Sequence, residues 1–116
     1  MLDFQQLRVY NRALDLVALA TDVIEAMGPG LSHIAVQLDK ASTSVAVNIA
    51  EGAGEFSPKE KGRFYRIARR SATETVAWFD VLRRKRRISD EHHATGTALG
   101  TDCIKALTTL AKRFSP

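Results

Sequence analysis

A second cysteine is missing from this 116-residue sequence. Cys103 has no partner for an internal disulfide, which points to a reducing compartment. Long apolar runs are missing too. The longest candidate, 14–27, is broken by Asp15, Asp22 and Glu25, well short of the ~18 residues of a membrane span. The opening Met1-Leu2-Asp3-Phe4 lacks the basic start and apolar centre of a signal peptide, so a cytoplasmic location is expected. No alternating, β-branched run survives beyond a few positions, which excludes a sheet. Gly52-Ala53-Gly54 lacks a preceding strand and a Gly-Lys-Ser/Thr ending, so it reads as a chain reversal and not a phosphate loop. No Glu-x-x-His motif of a di-iron bundle occurs, and His92 and His93 are adjacent, about 100° apart on a helix, so they share no ligand face. No Ser/His/Asp or paired-carboxylate arrangement can be assembled. The expectation is a non-enzymatic protein without metal or cofactor.

What the sequence has is helical periodicity. Gly28-Pro29-Gly30, Gly52-Ala53-Gly54 and Ile88-Ser89-Asp90 divide it into four comparable pieces. Leu7, Tyr10, Leu14, Val17, Thr21 and Ile24 recur at spacings of three and four in the first. Leu31, Ile34, Leu38, Ala41, Val45, Asn48 and Gly52 do so in the second. Phe64, Ile67, Ser71, Thr75 (or Glu74), Trp78 and Leu82 follow in the third, and Leu99, Cys103, Ala106, Leu107, Leu110 and Phe114 in the fourth. The pattern predicts one all-α domain over 1–116, an antiparallel up-down-up-down four-helix bundle with helices near 4–27, 31–52, 58–87 and 90–114. At 45% apolar residues the chain can bury a core unaided.

Charge is strongly polarised. Residues 58–88 hold 11 of the 17 Lys and Arg against Glu60, Glu74 and Asp80, a local +8, while the first 57 residues carry −4. Ser57-Pro58-Lys59-Glu60 starts this segment as N-cap, N1 proline and a glutamate reaching back to the cap. Lys59, Arg63, Arg66, Arg70 and Arg84 fall on one helical face, and Arg83, Arg84 and Arg87 belong to the basic run that ends it. At ~1.5 Å per residue such a line spans ~40 Å, enough for several phosphates. Arginine forks, with Tyr65 beside them, suit phosphate contacts and base stacking.

Two other groups stand out. Ser44, Asn48 and Glu51 form a polar cluster within an apolar seam, read as structural: Asn48 fixes register across the bundle and Glu51 anchors the following turn. A second apolar stripe on the first helix (Val9, Leu16, Ala20, Val23, Met27), with Ala72, Val76 and Phe79 on the third, is either surplus to what one bundle covers or part of a core-facing stripe ~100° or more wide. Val9, Leu16, Val23, Val76 and Phe79 are therefore candidates for a homo-oligomer interface. Cys103 reads as a core thiol, and Gly96 and Gly100 as a small-residue step permitting close helix approach.

Gln37, the run Ala41-Ser42-Thr43-Ser44-Val45-Ala46-Val47-Asn48-Ile49-Ala50-Glu51-Gly52, then Lys59-Glu60, Phe64-Tyr65, Ile67-Ala68, Arg70-Ser71 and Glu74 resemble the 23S rRNA-intervening-sequence family of four-helix bundles. More distantly, the chain is similar to the accessory protein of diversity-generating retroelements, a basic homopentamer that binds nucleic acid and a reverse transcriptase. The resemblance implies a left-handed bundle, assembly into pentamers and no established enzymatic activity. The sequence departs from it at Asp39-Lys40, where a basic pair is usual, and at Arg83–Arg87, where the family has an apolar, glycine-containing turn. Two readings stay open: a homo-oligomer whose basic third helix binds RNA or DNA backbone, or a structural scaffold for an unidentified protein partner with no nucleic-acid role.

Overall fold

The computed structural model describes residues 2–114. Among them are a short 3-10 turn (Asp3–Gln6) and four helices: α1 (Arg8–Ala26), α2 (Ser32–Gly54), α3 (Pro58–Arg84) and α4 (Asp90–Phe114). The described chain is all-α, and each helix packs on two neighbours in a closed ring, α1 on α2 and α4, α3 on α2 and α4. Arg87, just past α3, meets the end of α1 at Met27, and Lys61, near the start of α3, meets the end of α2 at Gly52. These contacts are compatible with up-down-up-down order.

Three boundaries differ by more than one residue from the sequence reading, and each difference has a backbone cause. The helix expected to start at residue 4 starts at Arg8, because Leu7 is extended (φ −70°, ψ 128°) and separates it from the 3-10 turn. The helix expected to stop at Gly52 continues to Gly54 before Glu55 turns extended. The helix expected to reach Arg87 ends at Arg84, because Arg86 adopts φ +63°, which no α-helix accommodates. Gly28 and Gly30, at φ +83° and +89°, make the α1–α2 turn where a side chain would be strained.

The core inverts the expected roles of the two α1 stripes. Val9, Leu16 and Val23, candidates for an oligomer interface, are buried with Ala13 and Ala20 inside the chain's own core. Phe79, assigned to the same interface, is also fully buried, and Val76 is half-buried against α4 at Gly100. The stripe read as core lies on the shoulder instead: Tyr10 and Val17 are half-buried and Leu14 is exposed. Ala13, Ala20, Ala68 and Ala72, each at most 1% exposed, share these inward faces with the fully buried Leu16, Val23, Phe79 and Leu82. On α3 the buried set is Gly62, Tyr65, Ala68, Ala72, Thr75, Phe79 and Leu82.

Closest of all is the approach of α4 to α3. A methyl group added at Gly96 would lie 2.5 Å from Cε2 of Phe79, and one at Gly100 would collide with Cγ2 of Val76. The small-residue step on α4 does serve close packing, and it explains why so large a ring as Phe79 is wholly enclosed.

Replacing Gly100 with alanine tests this packing. Helix propensity alone would stabilise α4 by up to ~1 kcal/mol, whereas overpacking costs ~1–3 kcal/mol. Gly100→Ala is expected to be destabilising in urea unfolding. A stabilised variant would show that α3 and α4 are not closely opposed.

Candidate nucleic-acid interface

The start of α3 is set by local chemistry. Ser57 caps the helix by accepting the Glu60 N–H at 3.4 Å, and Pro58 occupies the first turn. Glu60 does not complete the reciprocal box. Its carboxylate accepts from Arg63 Nε at 2.7 Å instead, since a guanidinium one turn on offers a charged donor. Arg63 also lies over the Phe64 ring, 4.4 Å from its centroid.

Lys59, Arg63, Arg66 and Arg70 are exposed along the first half of α3, as are Arg83, Arg84 and Arg87 at its far end. They do not form one unbroken line. Thr73, Glu74, Ala77 and Asp80 occupy the exposed face between them, a gap of ~20 Å from Arg70 to Arg83. The basic surface is two patches. On this side Arg63 pairs with Glu60 and Arg83 with Asp90, and His93 Nε2 lies 2.8 Å from Asp80 Oδ1, while Arg8 and Arg12 meet Asp102 elsewhere.

Tyr65 cannot stack on a base. It is 4% exposed, packed beside Phe114, and burial pushes its phenol pKa up from 10.0. The aromatic that is available is Phe56, which sequence reasoning passed over. It stands 99% exposed in the turn before α3, three residues from Lys59. An isolated phenylalanine in a Gly/Ser turn carries no periodic signal, so only the structure shows that nothing covers it.

Two of the cations serve the fold. Arg87 Nη1 donates to the carbonyls of Met27 (3.0 Å) and Pro29 (2.9 Å), closing the end of α1, which removes this atom from phosphate duty. Lys61 Nζ donates to the carbonyls of Gly52 and Ala53 and so neutralises the negative end of α2. Between α3 and α4 the backbone closes with two bonds, Arg86 N–H to Arg83 O (3.0 Å) and Arg87 N–H to Leu82 O (2.9 Å). That is the Schellman closure, with Arg86 at the left-handed position glycine usually fills, at a cost of ~1–2 kcal/mol.

Behind the turn, His93 on α4 is held on both sides. Its Nε2 lies 2.8 Å from Asp80 Oδ1 and its Nδ1 3.2 Å from Arg83 Nη1. A guanidinium only donates, so Nδ1 accepts and the ring proton sits on Nε2, donated to Asp80.

Residues 5–109 match the family model described as 23S rRNA-intervening sequence protein. The chain belongs to this family. The crystal structure, at 1.70 Å, of a protein of unknown function from the S23 ribosomal protein family of Bacteroides thetaiotaomicron superposes with a TM-score of 0.82. That protein is 22% identical, the match covering 90% of this chain and 98% of the other, so it speaks to the fold alone. No curated protein matches the sequence.

In this family member the polar seam differs from expectation at two of its three residues, Asn48 and Glu51. Asn48 Nδ2 donates to the Ser44 carbonyl (2.8 Å) and to Ser44 Oγ (2.9 Å), and Ser71 Oγ meets Ser44 Oγ at 2.8 Å. The link across the bundle is thus Ser44–Ser71, with Asn48 supporting it from its own helix. Glu51 is not part of it: the side chain is exposed and lines a groove beside α1. Cys103 is fully buried, and desolvation, then the charge of Asp102, raises its pKa from 9.0 to about 11. It is a neutral core thiol and no nucleophile. Among the described residues no three His, Cys, Asp or Glu cluster as a metal site would, and no helix is long and apolar enough to cross a membrane.

The capping role assigned to Arg87 separates it from its neighbours. Arg87→Ala is expected to cost ~1 kcal/mol in thermal or urea unfolding, while the solvated Arg84→Ala stays within ~0.5 kcal/mol. Equal effects of the two would remove the distinction.

Proposed function

We propose that this family member is a non-enzymatic, cytoplasmic, homo-oligomeric protein that binds single-stranded RNA or DNA, tracking the phosphate backbone with the first half of α3. The observation that carries this reading is the juxtaposition of the bare Phe56 ring with exposed Lys59, Arg63 and Arg70, none of them ion-paired to the acidic half of the chain among the described residues. Arginine forks and an uncovered aromatic are the two elements a sequence-tolerant single-strand site needs, one for phosphates and one for a base face.

With Lys59, Arg63 and Arg70 each meeting one phosphate, the logarithm of the affinity should fall with the logarithm of salt at a slope of about −2. Lys59→Glu combined with Arg70→Glu should reduce binding steeply. Phe56→Ala should cost about tenfold on single strands and little on duplex. Absence of binding at ~50 mM salt, or a salt-independent affinity, overturns the reading.

Self-association has its own support. Phe4, Tyr10, Leu14 and Val17 face Ala46, Val47 and Ala50 across an open apolar groove of about 290 Å³ between α1 and α2. Leu14 and Val47 are 41% and 57% exposed there. The family resemblance implies five copies. The same groove favours the second reading, a scaffold for another protein without a nucleic-acid role. Light scattering separates them. A homo-oligomer that Leu14→Glu with Val47→Glu reduces to monomer supports self-association through this groove, and a monodisperse wild-type monomer rules it out.

A further inference from the structure

The basic patch at the far end of α3 is built differently from the first and is shaped for a different ligand. Arg83, Arg84 and Arg86 line a cleft of about 530 Å³ with Asp80 and His93. Three guanidinium groups and one carboxylate line it, a net +2 from these four side chains. Asp80 accepts the Nε2 proton of His93 at 2.8 Å, and the other imidazole nitrogen accepts from Arg83 and holds that guanidinium at the cleft. Asp90 reaches Arg83 only at 3.8 Å from an exposed position, a weak competitor. On the other side of Arg86 lies a second cleft of about 390 Å³, with Val23, Ala26, Met27 and Ile88 for an apolar floor and Arg87, Ser89 and His92 at its edge.

Arg86 is the wall common to both clefts, and it is the residue with positive φ. Its backbone contribution to the turn is an N–H that glycine would supply without strain. What arginine adds is a guanidinium between the two clefts.

We propose that the α3–α4 turn is a binding pocket for a compact oligophosphate, either a free pyrophosphate-like anion or the phosphorylated 5′ end of a nucleic acid. Forked donors from three arginines match the several oxygens of linked phosphates better than the four of a single one. The pocket is separate from the Phe56–Arg70 surface and does not require that surface to bind anything.

Calorimetric titration of the intact protein with pyrophosphate, in buffer of physiological salt, is the direct test. One pyrophosphate per chain is expected, bound at least tenfold more tightly than sulfate. Arg86→Gly should lower that affinity at least tenfold and at the same time raise the melting temperature, since it removes the left-handed side chain. A merely structural arginine would not produce this pair of opposite changes. Oligonucleotides with 5′-triphosphate and 5′-hydroxyl ends then identify the source: an end-dependent preference lost in Arg86→Gly assigns the pocket to nucleic-acid ends, and pyrophosphate binding without that preference assigns it to a free anion. No pyrophosphate binding, or equal affinity in the wild type and Arg86→Gly, overturns the proposal. Binding of the 5′-hydroxyl strand in that case would still leave the α3 surface standing.

Discussion

The closeness of α4 to α3 governs most of what this chain presents to its surroundings. Gly96 and Gly100 remove two side chains from α4 where Phe79 and Val76 of α3 need the space. Once Phe79 is seated over Gly96, its neighbour Asp80 stands at the edge of the interface, and His93, one turn before Gly96, meets it there. The Asp80–His93–Arg83 arrangement therefore follows from a packing constraint inside the bundle and not from any attraction strong enough to fold the chain. An exposed ion pair is worth ~1 kcal/mol or less; excluding a methyl group from a filled core is worth more. The apolar fit comes first, and the polar groups take the geometry it leaves.

Eleven cations in thirty-one residues would repel one another if they were left in a row, and the fold spreads that cost. Lys61 and Arg87 turn toward the carbonyl ends of α2 and α1, where a positive charge is favourable. Arg63 meets Glu60 and Arg83 meets His93. Glu74 and Asp80 lie in the exposed gap that divides the remainder in two. What stays solvated is a pair of patches, each with a distinct neighbour: a bare aromatic ring at one end, two clefts at the other.

Helix number and the main breaks were legible because glycine, proline and a serine cap mark them locally. The interior of α2 was legible for a similar reason, since it carries one unambiguous stripe, from Leu31 to Gly52. The faces of α1 were not. Leu14 and Leu16 are equally apolar, and spacing alone cannot tell which stripe looks inward; that depends on how α2 and α4 close over α1. The end of α3 was misread because arginine normally continues a helix, while here a left-handed Arg86 ends it. Arg87 and Lys61 as carbonyl caps were out of reach for another reason. Their partners lie up to 60 and 9 residues away in sequence, and a cation at a helix end looks like any other basic residue until the distant carbonyl arrives. Tyr65 and Phe56 exchanged places for the same cause: exposure is a property of the assembled bundle.

The α3–α4 turn shows where folding chemistry stops being a sufficient account of the sequence. The Schellman closure uses backbone N–H groups at 86 and 87, which any residue but proline provides. Arg87 earns its identity by bonding Met27 and Pro29. Arg83 is fixed by His93. Arg86 has a backbone conformation that disfavours its side chain and borders two clefts that its side chain divides. Glycine would form the same turn at lower cost, so stability gives no reason for arginine at this position. The remaining physical reason is what a guanidinium does in solution, which is to meet anions, and the clefts on either side define where such an anion would sit.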